Sequence, residues 1–301
     1  MNINYNINSK IENQGVNDFF ASKNYLIYCI VKTSAYVLNV LLGIAITFFL
    51  LNYITKNIEN IIALLEYFFG PIQEGEASSS GSSGGSGEII IIILTWLLYV
   101  FAKKNKDLKG IFVVFRVLLG ISIAGIIIAL IASLALPVAA TALASVPAFQ
   151  PFSGSILLLT LSIIVLLIVS LIIAIKEFKL LKPFATDDPD ILNKIPNLKN
   201  LKILHYVSAI ISILLTIFVT TIYFDFTNSF TSIIKPSDVL SADAIETIKI
   251  LLVDLQPLFY ILIVSTIISV IPVIYTTITI KHFEQYVEQK KYSKKINILD
   301  F

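Results

Sequence analysis

The sequence predicts an all-α integral membrane protein: six transmembrane helices, both termini cytoplasmic, and two amphipathic helices at the outer interface. Composition, apolar run lengths and charge placement carry that reading. Hydrophobic residues make up 56% of the 301 residues and charged residues only 14%, against about 25% charged in soluble globular chains. Mean hydropathy is +0.87. So few charges cannot cover this much apolar surface in water, and the solvent that fits is lipid.

A helix crossing a hydrocarbon core about 30 Å thick needs about 20 apolar residues. Runs near 25–55, 110–136, 154–175, 203–224 and 257–280 meet that length, and no charge occurs from Val117 to Ile175. Within that charge-free run, Pro137, Pro147 and Pro151 break the pattern, because proline removes a helix donor and restricts the residue before it. Residues 137–153 therefore read as an apolar re-entry loop between two helices. The sixth run, Ile89–Ala102, spans only about 21 Å as a helix, a length typical of a buried or interfacial segment.

Charge decides in favour of crossing. With six spans and a cytoplasmic N-terminus, residues 1–32, 103–116, 176–202 and 281–301 hold 19 of the 22 Lys and Arg and 10 of the 20 acids, net +9. The outer pieces, 56–88 and 225–254, hold only Lys56, Lys235 and Lys249 against the other 10 acids, net −7. That asymmetry obeys the positive-inside rule. If Ile89–Ala102 did not cross, Lys103, Lys104, Lys106 and Lys109 would lie outside among the acids; Lys103 and Lys104 can snorkel at the end of a short span.

The chain then divides into a polar tail (1–24), one six-helix domain (25–282) and a basic tail (283–301) whose Lys290, Lys291, Lys294 and Lys295 favour anionic headgroups. The tail 1–24 lacks the layout of a cleaved signal peptide, so the first helix reads as a signal anchor. Residues 77–87, ASSSGSSGGSG, have the composition of a flexible linker. Apolar residues at helical spacing in 57–69 and 241–255, the latter with Ser241 as cap, mark the two outer amphipathic helices. The order helix, acidic amphipathic piece, helix then occurs in both halves, a layout that transporter repeats use, although the residues differ.

No catalytic, nucleotide or metal motif stands out. Cys29 is the one cysteine and reads as a small buried apolar group. Ionisable residues at membrane depth mark ion and proton paths, and none occurs in 33–55, 117–175, 203–224 or 255–280 apart from His205 near one end. Asn39 in the first helix and Ser265, Ser269, Pro272 and Thr276 in the last form the candidate polar path or hinge, whose commoner role is interhelical hydrogen bonding around a kink. Gly125, Ala129 and Ser133 repeat at four-residue spacing, suited to close helix packing, either as the seam of the bundle or as a subunit contact. Asp187, Asp188 and Asp190 are weak metal candidates: clustered carboxylates can hold Mg²⁺ against a phosphate, yet Asp beside proline is ordinary turn chemistry. His205 and His282 could ligate a haem only at matching depth on facing helices.

No cofactor and no nucleic-acid partner is expected. Lipids, with other membrane subunits or a second copy of the chain, are the expected partners. The sequence points to a non-enzymatic multi-pass protein of the cell membrane, permease-like or a structural subunit. The alternative is an enzyme acting on a lipid or isoprenoid phosphate at the cytoplasmic face.

Overall fold

The computed structural model describes residues 16–69, 86–138, 141, 153–186, 195, 198–233 and 242–299. These are helical apart from short turns, with no strand among them. The helices are α1 (Lys23–Phe69), α2 (Ser86–Lys103), α3 (Lys109–Ser133), α4 (Ser153–Leu180), α5 (Lys182–Ala185), α6 (Lys199–Ile233), α7 (Ala242–Asp254) and α8 (Gln256–Leu299). Without water to satisfy exposed backbone, an apolar chain in lipid must bond to itself, and the helix does this within one segment. By length and composition α1, α3, α4, α6 and α8 can each cross a membrane, while α2 belongs to the shorter apolar helices.

Local signals account for several boundaries. The Ser22 hydroxyl accepts from the Tyr25 amide at 3.3 Å, capping α1. The turn between α2 and α3 contains Asn105 at φ 50°, a backbone region asparagine tolerates, and the Asp107 carboxylate accepts from the Lys109 amide at 2.9 Å to start α3. Between Asn52 and Phe69 there is neither glycine nor proline, so the amphipathic piece 57–69 continues α1 rather than forming a separate interfacial helix. The second piece is separate, as α7, joined to α8 by a turn at Leu255. The two halves therefore do not share the layout that suggested a repeat. α8 likewise meets no breaker after Pro272 and continues as helix through most of the basic tail, to Leu299. The proline loop, except 137, 138, 141 and 153, and the linker 77–85 lie outside the described residues.

The helices pack side by side in the order α3, α4, α6, α8, α1, and α2 bridges α1 and α3. One end of this arrangement holds the core. There Val16, Phe19, Tyr25 and Cys29 meet Leu98 and Ala102 of α2, Phe112 of α3, Phe184 of α5, Leu201 of α6 and Phe283 of α8. Aromatic edges tie the elements together: Phe19 to Phe283 (4.8 Å between ring centroids), Phe20 to Tyr25 (4.8 Å) and to Phe112 (5.5 Å), and Phe112 to Phe184 (5.1 Å). Such pairs contribute roughly 0.5–1.5 kcal/mol beyond their buried area. Because α1, α3 and α6 begin at this charged end while α2, α4 and α8 pass or end there, the chain between α1 and α3 must return to it, and α2 is the described part of that return.

The reach of α2 differs from a full span. The Thr95 carbonyl accepts from Tyr25 Oη at 3.4 Å and from the Cys29 thiol at 3.7 Å, and Trp96 Nε1 donates to Thr33 Oγ1 at 2.8 Å. Ser86 is nine residues from Thr95, so α2 extends at most about 14 Å past that level. Lys56 lies 27 residues beyond Cys29, about 40 Å along α1. Beyond the reach of α2, no described element lies between α1 and α3. In no spanning window is more than 17% of the residues buried.

The aromatic cluster, not the exposed flanks, holds the helices together. Phe283→Ala, at a position 8% exposed, should cost about 3–5 kcal/mol and lower the thermal midpoint in detergent. Phe48→Ala, at 69% exposed, should leave the midpoint nearly unchanged. Equal shifts for both variants would refute the assignment.

Candidate functional site

Two polar layers cross the apolar bundle, and a clasp closes its far end. The deeper layer joins α1, α8 and α6. Asn39 Nδ2 donates to Ser269 Oγ at 3.1 Å, and Ser265 Oγ lies 3.5 Å from Asn39 Oδ1, a long contact. One asparagine thus spans two residues four apart on α8, which share a helix face. On its neighbouring flank, Thr266 Oγ1 sits 2.8 Å from Thr216 Oγ1 of α6. Pro272 lies one turn further along α8; lacking an N–H it leaves the Ile268 carbonyl without its helical donor. The hydroxyl of Thr276 donates to the Pro272 carbonyl at 2.8 Å. Of the five residues of the candidate path, Asn39, Ser265 and Ser269 meet, whereas Pro272 and Thr276 follow along α8. This geometry is that of interhelical hydrogen bonding, which in lipid averages about 0.6 kcal/mol per pair.

The second layer lies at the charged end. Lys32 donates to Tyr28 Oη at 3.2 Å and interacts with the Glu177 carboxylate of α4. Glu177 Oε1 also stands 3.2 Å from His205 Nε2 of α6, a close contact without the alignment of a hydrogen bond. Lys202 of α6 pairs with Glu284 of α8, and Lys290 lies 4.0 Å from Asp18. Hydropathy places each of these groups singly at a helix end; their convergence from α1, α4, α6 and α8 is tertiary information, signalled in the sequence only by basic and acidic residues recurring at the ends of four runs. His205 is engaged with Glu177, and nothing in its contacts brings His282 to it.

At the opposite end α7 clasps its neighbours. Asp254 accepts from Lys56 at 2.8 Å and from Asn57 Nδ2 at 3.2 Å, and both donors hold its carboxyl below the usual range. Tyr53 Oη donates to the Leu251 carbonyl at 3.1 Å, Tyr223 Oη donates to the Leu252 carbonyl, and Tyr223 stacks on Phe259.

Among the described residues, none packs closely on the small-residue stripe at Gly125 and Ala129. Gly125 has open space around it, Ala129 is exposed, and only Ser133 is buried, its hydroxyl donating to the Leu130 carbonyl at 2.7 Å. Their exposure follows from α3 packing on α4 along a different stripe. Asp187, Asp188 and Asp190 lie outside the described residues; among the described residues no three His, Cys, Asp or Glu side chains gather as a metal site would need.

The fold and these layers define a multi-pass, all-helical protein of membrane type. Comparison with protein-family models, with curated proteins and with solved structures finds no match.

A double-mutant cycle on Asn39→Val and Ser269→Ala, read from unfolding in micelles, should give a coupling of about 0.5–1.5 kcal/mol. Additive single effects would show that the two side chains do not interact.

Proposed function

We propose that the chain is a non-enzymatic structural subunit of a membrane assembly, with its charged end at the cytoplasmic face of the cell membrane and its open helix flanks covered by lipid and by other membrane helices. The observation that carries this is the packing of α1 and α3. Beyond the reach of α2, α1 packs on α8 and, at its far end, on α7, α3 packs on α4, and among the described residues much of the remaining surface of both is exposed. On α3 that exposed surface includes Gly125 and Ala129, and small residues permit close approach of a second helix where packing rather than hydrophobicity drives association. The cytoplasmic orientation follows from the lysines at the charged end, and the reading of six crossings counts α2 as the return.

A permease-like role is a second reading, favoured by the Asn39, Ser265 and Ser269 contacts at a depth where polar groups are otherwise scarce. The enzymatic alternative rests on Asp187, Asp188 and Asp190.

Gly125→Ile tests the subunit reading. Nothing lies within 4 Å of an added Cβ at this position, so the thermal midpoint of the isolated chain should hold. On native gels of gently solubilised membranes the wild-type chain should run as a higher-mass species, and the substitution should abolish that species. A wild-type chain that migrates as a lone protomer, or an assembly indifferent to the substitution, would contradict the proposal.

A further inference from the structure

Arg116, the chain's only arginine, stands where the charge-free run of α3 begins. Its guanidinium lies over the ring of Phe178 on α4, 4.5 Å from the centroid. Gly120, one turn along α3, faces the same ring: an added Cβ there would stand 3.9 Å from Phe178 Cε2, an ordinary van der Waals contact. Arg116 and Gly120 are thus neighbours on one face of α3 and both pack on the same ring. Yet Arg116 Nε is enclosed and has no hydrogen-bond partner, and among the described residues no carboxylate pairs with it. The nearest acid in sequence on α4, Glu177, is drawn the other way, to His205 of α6 and Lys32 of α1.

A partly enclosed guanidinium without an anion, at the edge of hydrocarbon, is costly. Nε itself is closed off, so a ligand would meet the two terminal nitrogens, and what suits that pair is a phosphate, whose oxygens match planar donors. The surroundings favour a phosphate carried on a lipid. The exposed stripe of α4, through Leu161, Val165, Ile168, Ile172 and Ile175, ends at exposed Lys179, the residue after Phe178. A hydrocarbon chain lying along that stripe brings its headgroup to Lys179, next in the chain to the Phe178 on which Arg116 rests.

We infer that Arg116, held on Phe178, and Lys179 form a binding site for the phosphate of an anionic phospholipid, with the lipid tail along the exposed stripe of α4. The site needs only one chain and stands apart from the subunit reading.

The test uses the full chain in phosphatidylcholine nanodiscs with and without phosphatidylglycerol, read by native mass spectrometry and thermal midpoint, with inorganic phosphate as a separate arm. Wild type should retain phosphatidylglycerol and gain stability from it. Arg116→Gln should weaken retention about tenfold or more, the loss of a charge-assisted pair. Arg116→Lys, which keeps the charge but not the fork, should fall between. Lys179→Gln changes an exposed side chain that the fold does not need and should weaken retention too, so the test stands even if Arg116→Gln does not fold. Retention unchanged in both Arg116→Lys and Lys179→Gln overturns the site. Stabilisation by inorganic phosphate equal to that by the lipid overturns the lipid assignment, and so does a co-purifying protein whose loss, rather than that of lipid, follows Arg116.

Discussion

The cost of carrying an unpaired charge into hydrocarbon shapes this molecule more than any single contact. Between Lys32 and Lys56 on α1 there are 23 residues without a charge, about 36 Å of helix from one lysine to the other. α4, α6 and α8 carry charge-free lengths close to this, and α3 is free of charge from Val117 to its end. Every pairing of an acidic with a basic side chain described lies at one edge of this layer or the other: Glu177 with His205 and Lys202 with Glu284 at the charged end, Lys56 with Asp254 at the far end. Inside the layer, polar side chains are mostly hydroxyls, many bonded to their own helix, as Thr266 is to the Leu262 carbonyl. That arrangement satisfies donors where water is absent.

Given that layer, the division of labour between the ends follows. Lipid is as apolar as leucine, so burying an isoleucine between helices within the layer gains little over leaving it in lipid, and cohesion must come from packing and polar contacts. The packing is concentrated at the charged end, where Phe19, Phe20, Phe112, Phe184 and Phe283 meet. The far end is held by directional bonds from Tyr53, Tyr223, Lys56 and Asn57 to α7. Between them the helices touch along narrow stripes, with Asn39 and Thr216 providing the cross-links.

Five long helices and α7 were legible in the sequence because run length and helical spacing record them directly. Ile89–Ala102 carried two signals that disagreed. Its length argued for a buried or interfacial segment and its flanking lysines for a crossing; α2 returns the chain to the charged end as the lysines required, yet as a helix it reaches no further than its length allows. The continuation of α1 to Phe69 was hidden because an amphipathic pattern does not reveal whether a helix breaks before it, and only the absence of glycine and proline says so. Residue type marked Asn39, Ser265 and Ser269, but their meeting depends on the register of α1 against α8. Gly125 and Ala129 illustrate the converse: spacing shows that a face is smooth, not that anything in the chain lies upon it. The contacts of Arg116 with Phe178 and of Glu177 with His205 were beyond reach for the same reason, since they are set by which helices are neighbours.

The central claim is that the layer between Lys32 and Lys56 is the hydrocarbon, so that the two ends of the bundle face opposite sides of a membrane. Single cysteines at Lys56 and Lys106, introduced with Cys29→Ala and treated with a membrane-impermeant maleimide in sealed inside-out and right-side-out vesicles, test this directly. The account predicts that each cysteine is labelled in only one vesicle orientation, and that the two differ. Labelling of both from the same side would contradict it.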